Sequence, residues 1–237
     1  MRTVILCGGK GTRAYPHTVE LPKPLLEVAG QPVLLHLMEI YAAQGYTDFV
    51  LAAGYKHDLI EEFAAPHRSR WSIEVIDTGE DTNTGGRVRQ IADRVDGDFF
   101  LTYADGLGDV DLAALAEFHR AHGGVFTLTA IPLPSQYGTL ELDGGRRVRA
   151  FQEKPRLADH LINAGFFVVS AAVFDSWPEP GEDLERDVLP ALAERGELHA
   201  FEHLGFWKSM DTYKDALELS ALCDPGPAPW LRRAGAS

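Results

Sequence analysis

The chain has 237 residues, 45% of them hydrophobic, and a formal net charge of −13. That is enough apolar material for one α/β domain with a small elaboration, and the excess of acid argues against binding to nucleic acid, whose backbone needs a basic face. No apolar run approaches the roughly 20 residues of a membrane span, no signal peptide is expected at an amino terminus that enters a strand and a glycine turn, and Cys7 and Cys223 make no disulfide framework, so the expected location is cytoplasmic.

Thr3 to Cys7 is a short β-branched, apolar run cut off by glycine, which predicts a buried strand feeding a tight turn. The turn is Gly8-Gly9-Lys10-Gly11-Thr12-Arg13, and Pro22-Lys23-Pro24 follows ten residues later. Glycines let a backbone approach a ligand closely, and successive N–H groups in such a turn can converge on phosphate oxygens. Lys10, Arg13 and Lys23 make this opening cationic in an acidic chain, so a polyphosphate site is expected. Prolines on both sides restrict Lys23, favouring a fixed cation. Gly9-x-Gly11-x-x-Ala14 also fits a dinucleotide fingerprint, but Tyr15-Pro16 interrupts the helix that pattern requires, and the second strand ends without an acid. No Gly-Lys-Ser/Thr closes a Walker A loop.

Leu25 to Gly30 reads as a short strand and turn, and Pro32 opens a helix to about Gln44 with Leu34, Leu37, Met38 and Tyr41 as core. A strand over Phe49–Ala53, a helix over Asp58–Ala65 and a strand over 72–76 complete a doubly wound pattern. The glycine loop then lies at a strand's carboxyl end, where such sheets bind ligands. Asp77 to Arg89 is turn-rich, with Gly85-Gly86 either approached by a flat base or forming an ordinary helix entry capped by Thr84, with Arg87 and Arg89 solvated. Phe99 to Tyr103 is a strand running into Asp105, a carboxylate well placed to hold a metal over the phosphate loop, while Asp111 suits the cap of a helix over Leu112–His122. His119 and His122 lie three apart on that helix with no third ligand spaced with them, which argues against zinc.

Beyond it, strands over Val125–Ile131, Gly138–Leu142 and Val148–Gln152, the middle pair joined by Asp143-Gly-Gly, lead to the apolar Gly165-Phe-Phe-Val-Val. Glu153 and Lys154 could accept from hydroxyls and neutralise a phosphate, or form a surface ion pair. An amphipathic helix over Glu182–Arg195, a strand over Leu198–His203 and a helix over Tyr213–Leu222 capped by Asp211 or Thr212 end a domain expected to span 1–223. Residues 224–237 read as an arm or frayed end in which Trp230 hints at docking on this or a neighbouring subunit. The fold class is α/β: a single-domain, doubly wound, mainly parallel mixed sheet of Rossmann-like type with a small β-rich elaboration.

Taken together these motifs resemble the sugar-1-phosphate nucleotidyltransferases. The glycine loop with Pro22-Lys23-Pro24 carries the family signature, and Asp77-Thr-Gly, Thr84-Gly-Gly-Arg87, Tyr103-Ala-Asp-Gly106, Phe151-Gln-Glu-Lys-Pro155, Asn163-Ala-Gly-Phe-Phe167 and Phe201 to Trp207 with Met210-Asp-Thr212 resemble the glucose-1-phosphate cytidylyltransferases among them. The resemblance implies transfer of a nucleotidyl group, cytidylyl from CTP foremost, to a sugar 1-phosphate such as α-D-glucose 1-phosphate, with pyrophosphate released and Mg²⁺ as cofactor. It implies that Leu6, Gly8, Gly9, Gly11, Thr12 and Arg13 hold the nucleotide, with Arg13 on the departing phosphates and Lys23 at the transferred phosphorus as the catalytic pair. Thr84 and Gly85 resemble the base pocket, and Tyr103, Gly138, Glu153, Lys154 and Asn163 the contacts to the sugar phosphate. Asp105, which also meets the nucleotide, and Asp211 resemble the metal ligands; a homo-oligomer is implied as well. The same reaction with dTTP or UTP, another sugar 1-phosphate, and a non-catalytic nucleotide-sugar sensor stand as alternatives. Two departures bear on the sugar and the base: the chain lacks a segment that cytidylyltransferases insert before Asp-Thr-Gly, and it has Ala104 and Ala164 where they tend to have glycine.

Overall fold

The computed structural model describes residues 1–12, 17–224 and 226–231. Strand β1 (Thr3–Leu6) is followed by a small hairpin, β2 (Glu27–Val28) and β3 (Gln31–Pro32), and by helix α1 (Val33–Ala42). Next come β4 (Asp48–Ala53), α2 (His57–His67), β5 (Ser72–Asp77), α3 (Thr84–Gln90), β6 (Asp98–Tyr103), β7 (Gly106–Gly108) and α4 (Leu112–His122). The second half contains β8 (Phe126–Pro134), β9 (Thr139–Leu142), β10 (Val148–Gln152) and β11 (Arg156–Ser170), then α5 (Leu189–Glu194), β12 (Leu198–Glu202), β13 (Trp207–Ser209) and α6 (Tyr213–Ala221).

Seven strands form one sheet in the order β12-β8-β11-β6-β1-β4-β5. β1 pairs in parallel with β4 and β6, β4 with β5, and β12 with β8; β11 runs antiparallel to both β6 and β8 and is the reversed strand of the sheet. Because side chains alternate across a strand, Ile5 packs on the face covered by α1, α2, α4 and α6, while Val4 and Leu6 pack on the face covered by α3 and α5. Both faces are apolar, which is why the central strands read as continuous hydrophobic runs.

Two details differ from expectation, and a third selects between two alternatives. The amphipathic stretch expected as one helix over Glu182–Arg195 begins as a π-type turn over Leu184–Val188 and becomes α-helical only at Leu189; Pro190 has no N–H to give to the preceding turn. Strand β11 is far longer than its apolar core, and its register shifts between Asn163 and Phe167, where Gly165 adopts a left-handed φ of 77°. Such a bulge redirects side chains, and this one turns residues 163–165 toward the carboxyl ends of β1 and β6. Trp230 docks on its own chain: it is fully buried, edge-on to His36 with ring centroids 5.3 Å apart and tilted against Phe206 at 5.9 Å. Among the described residues no helix is long and apolar enough to cross a membrane.

Candidate active site

A cleft of about 630 Å³ opens at the carboxyl ends of β1 and β6, with Lys23, Asp105 and Asp211 together in its lining. Lys23 sits in a 3₁₀ turn over Lys23–Leu25, where Leu25 donates to the Pro22 carbonyl and Leu26 to that of Lys23. The lysine is only 9% exposed. Its Nζ lies 2.6 Å from Asp105 Oδ2 and 3.2 Å from Asp211 Oδ1. The two acids come from distant parts of the chain but are joined by backbone, since the Met210 N–H donates to the Asp105 carbonyl at 2.8 Å. Antiparallel pairing of β13 with β7 brings that segment across, and helix α6 starts behind Asp211 with a capping box between Thr212 and Asp215.

The three glycines of the loop differ in what surrounds them. A Cβ on Gly8 would meet the Arg87 guanidinium at 2.1 Å, and one on Gly11, which has a left-handed φ of 60°, would meet the Lys23 stem at 2.7 Å. A Cβ on Gly9 would meet nothing within 4 Å. Close approach at Gly8 and Gly11 is therefore to the protein's own cations, and only Gly9 faces open space.

Arg87 is the largest surprise, because a solvated helix face was one expectation for it. It is 3% exposed and donates to the carbonyls of Ala53 at 3.0 Å, Gly8 at 2.9 Å and Glu80 at 3.3 Å, and to the Thr78 hydroxyl. Burial pushes its pKa down, with Cys7 and Asp77 acting the other way. The guanidinium thus ties the end of β1 to the ends of β4 and β5. On the surface above it, Lys10 Nζ pairs with Glu80 at 3.1 Å and Asp81 at 2.9 Å, a second tie between the same loops.

Thr84 does not cap α3 through its side chain. Its hydroxyl donates to Glu185 Oε2 at 2.9 Å and accepts from the Leu184 N–H at 2.9 Å. The Tyr103 hydroxyl donates to the other oxygen of Glu185. Gly85 and Gly86 are close to the 181–182 segment rather than to open space: a Cβ on Gly85 would meet the Gly181 carbonyl at 2.5 Å.

Of the residues expected from the motifs, Leu6, Gly8, Gly9, Gly11, Lys23, Thr84, Tyr103, Asp105, Asn163 and Asp211 all line the cleft. Thr12 is exposed beside it, Gly85 is buried behind Thr84, and Arg13 lies outside the described residues. Gly138, Glu153 and Lys154 are not in the lining; they belong to the flank of the β9–β10 hairpin, where the Phe151 ring covers Gly138 and Glu153 and Lys154 are exposed. Glu185 lines the cleft without having been singled out, and Arg87 and Trp207, named only within motifs and given no site role, line it too, the indole N–H of Trp207 donating to the Ala164 carbonyl at 2.7 Å. A carboxylate three residues past the Gly181-Glu182 segment carries no local signal of its role; only the approach of that segment to α3 creates it. Among the described residues no group of three or more His, Cys, Asp or Glu side chains is arranged to hold a metal ion. That includes His119 and His122, although the ring of His199 stacks on His122 at 3.7 Å.

The nucleotidyl transferase family matches residues 2–223. The glucose-1-phosphate cytidylyltransferases of Salmonella typhi and Salmonella typhimurium are each 40% identical over 254 positions, covering 97% of this chain and 98% of theirs. Since 254 positions exceed the 237 residues of this chain, those relatives carry residues that it lacks. The solved structure of HddC from Yersinia pseudotuberculosis superposes with a TM-score of 0.74 at 24% identity, over 93% of this chain and 98% of that one, a likeness of fold. With the glycine loop, the buried lysine and its two acids gathered in one cleft, the chain belongs to the nucleotidyl transferase family, as a sugar-1-phosphate nucleotidyltransferase.

Proposed function

We propose that the chain transfers the cytidylyl group of CTP to a sugar 1-phosphate, α-D-glucose 1-phosphate foremost, and releases pyrophosphate. The observation that carries this reading is the Lys23 ammonium held between Asp105 and Asp211 in a cleft rimmed by the glycine loop. The choice of base and sugar is supported by the 40% identity to the Salmonella enzymes of that name.

A sugar-phosphate oxygen is already anionic near neutral pH, so no protein nucleophile is required. The difficulty is to bring two anions together and align the attack. Lys23 is assigned to the equatorial oxygens of the transferred phosphorus, whose developing charge a fixed ammonium stabilises. Arg13 is assigned to the departing pyrophosphate, which a planar guanidinium meets with a forked contact. Tyr103 and Asn163 are assigned to the sugar phosphate within the cleft, and Gly138, Glu153 and Lys154 to its outer side.

Among the described residues, Asp105 and Asp211 converge on the Lys23 ammonium from two separate segments of the chain. Convergent carboxylates are hard oxygen donors of the kind Mg²⁺ takes, one or two from protein and the rest from phosphates and water. We therefore assign Mg²⁺ to Asp105 and Asp211; when bound it supplies charge neutralisation at the phosphates. A homo-oligomer is inferred from the family resemblance.

Pyrophosphate release over CTP, UTP, dTTP, ATP and GTP, each with several sugar 1-phosphates, tests this. The fastest release is expected with CTP and glucose 1-phosphate, and none in EDTA. Faster release with another base, or none with any pair, overturns the assignment.

A further inference from the structure

Three carboxylates among the described residues line the cleft, and they are not alike. Asp105 and Asp211 face the Lys23 ammonium. Glu185 has no cation beside it among the described residues; its partners are two hydroxyls, those of Tyr103 and Thr84. Thr84 already accepts from the Leu184 N–H, so its proton goes to Glu185. The Tyr103 hydroxyl donates to the other carboxylate oxygen, Oε1. A carboxylate can accept at about four lone-pair sites, so with two donors already on it Glu185 presents further acceptor capacity to the cleft and nothing else.

An uncompensated negative charge repels phosphate. In a cleft built for two phosphorylated substrates, Glu185 therefore marks a stretch occupied by an uncharged, proton-donating part of one of them. Tyr103, assigned above to the sugar phosphate, gives its hydroxyl proton to Glu185, and the Thr84 side of the carboxylate indicates which part. Thr84 is the first residue of α3, and Thr82 and Asn83 beside it line the same wall. That wall is tied to the glycine loop twice, by Lys10 to Glu80 and Asp81, and by Arg87 between the carbonyls of Gly8 and Glu80. It is fixed to the loop assigned to the triphosphate, and the uncharged parts carried by the triphosphate are the ribose and the base, of which only the base differs between CTP and UTP.

On the cytidylyl reading above, we propose that Glu185 is the residue that selects the base, accepting a hydrogen bond from the 4-amino group of cytosine. Uracil and thymine carry a carbonyl oxygen at that position. A carboxylate facing it offers no proton, and two oxygens are left opposed. Hydrogen bonds from Tyr103 and Thr84 hold the carboxylate in place, so the acceptor is oriented before the nucleotide arrives. Adenine and guanine also carry amino groups, but a two-ring base must fit the same wall.

The test is kcat/KM for CTP and for UTP, at saturating glucose 1-phosphate, in the native chain, Glu185→Gln and Glu185→Ala, with a melting curve for each. A glutamine amide can turn its NH₂ toward a carbonyl, so Glu185→Gln is expected to lower the CTP-to-UTP ratio about 10- to 100-fold, the range for one hydrogen bond to a charged group. Glu185→Ala should lower it through loss of CTP turnover alone. The KM for glucose 1-phosphate should rise by a smaller factor than the CTP-to-UTP ratio falls, since Tyr103, assigned to the sugar phosphate, loses only one of its contacts. A native preference for CTP that survives in both variants overturns the role of Glu185, as does a rise in the KM for the sugar phosphate with the ratio unchanged. A native chain that prefers UTP overturns the cytidylyl reading together with it.

Discussion

Two buried cations flank the glycine loop, and they are held in opposite ways. Lys23 meets the carboxylates of Asp105 and Asp211, partners that line the cleft as it does. Arg87 meets the carbonyls of Gly8, Ala53 and Glu80 and the Thr78 hydroxyl, which belong to the sheet and its loops. A carboxylate side chain can turn to a new partner by a rotamer change, whereas a backbone carbonyl moves only with its strand. The same loop is thus shaped from behind by a cation that cannot leave and faces, across Gly11, a cation that can exchange its partners. Burial and positive charge alone do not mark a catalytic group; what the partners can do decides it.

The sharpest way to break this contrast is to remove Lys23. Lys23→Ala is expected to lower kcat by ~10² to 10⁴-fold, the loss of one transition-state contact, with little change in melting temperature. Near-normal turnover would make Lys23 as structural as Arg87. Arg87→Ala should show the reverse emphasis. Leaving buried carbonyls unpaired costs about 3 kcal/mol, or roughly 10 °C of melting temperature for a chain of this size.

The steric half of the contrast can be isolated with a double-mutant cycle. Gly8→Ala places its Cβ against Arg87 and no other side chain within the three nearest contacts, so it should be strongly destabilising in the native chain and better tolerated with Arg87→Ala. A coupling of about 1–3 kcal/mol by chemical denaturation is expected; simple additivity would mean that Gly8 is glycine for another reason.

A third place sharpens the comparison because it has buried titratable groups and no phosphate chemistry. His119 Nδ1 and His122 Nε2 both meet the Thr127 hydroxyl, and the Gly124 N–H donates to His122 Nδ1. Burial lowers the pKa of both rings, with His199 adding to it at each; Asp98 pulls His119 the other way and Arg120 works with burial. The folded chain thus binds fewer protons than the unfolded one below the ordinary imidazole pKa of 6.5, so stability should fall as pH drops through that value toward the lower folded ones. Melting curves between pH 7.5 and 5 check this, and His122→Asn should flatten the fall. The smallest effect is expected at the cap behind Asp211, where Thr212→Ala removes one side of the capping box and costs about 1 kcal/mol.

How much of this was visible in the amino-acid order depended on whether the signal was local. Glycine and proline act on their own backbone, so the loop after β1 and the restrained Lys23 could be read directly, as could Asp105 at the end of β6 and Asp111 as the cap of α4. Asp211 came from resemblance, since nothing near it in sequence points to Asp105. Arg87 and Glu185 depend on segments that meet only in the fold: α3 on the ends of β4 and β5, and the Leu184–Val188 turn on α3. For the same reason the steric causes of Gly8 and Gly11, the Arg87 guanidinium and the Lys23 stem, could not be read from the loop itself. Glu153 and Lys154 show the opposite limit, a motif found in order but placed outside the cleft lining by the path of the hairpin.

The central claim is that the two acids against Lys23 hold the divalent ion for phosphoryl chemistry. Mg²⁺ titration of pyrophosphate release, with CTP and glucose 1-phosphate, by the native chain and by Asp211→Asn tests it most directly. A fall of at least ~10²-fold in turnover together with a shift of the Mg²⁺ midpoint to higher concentration is predicted for the variant. The same midpoint and near-native turnover would contradict it.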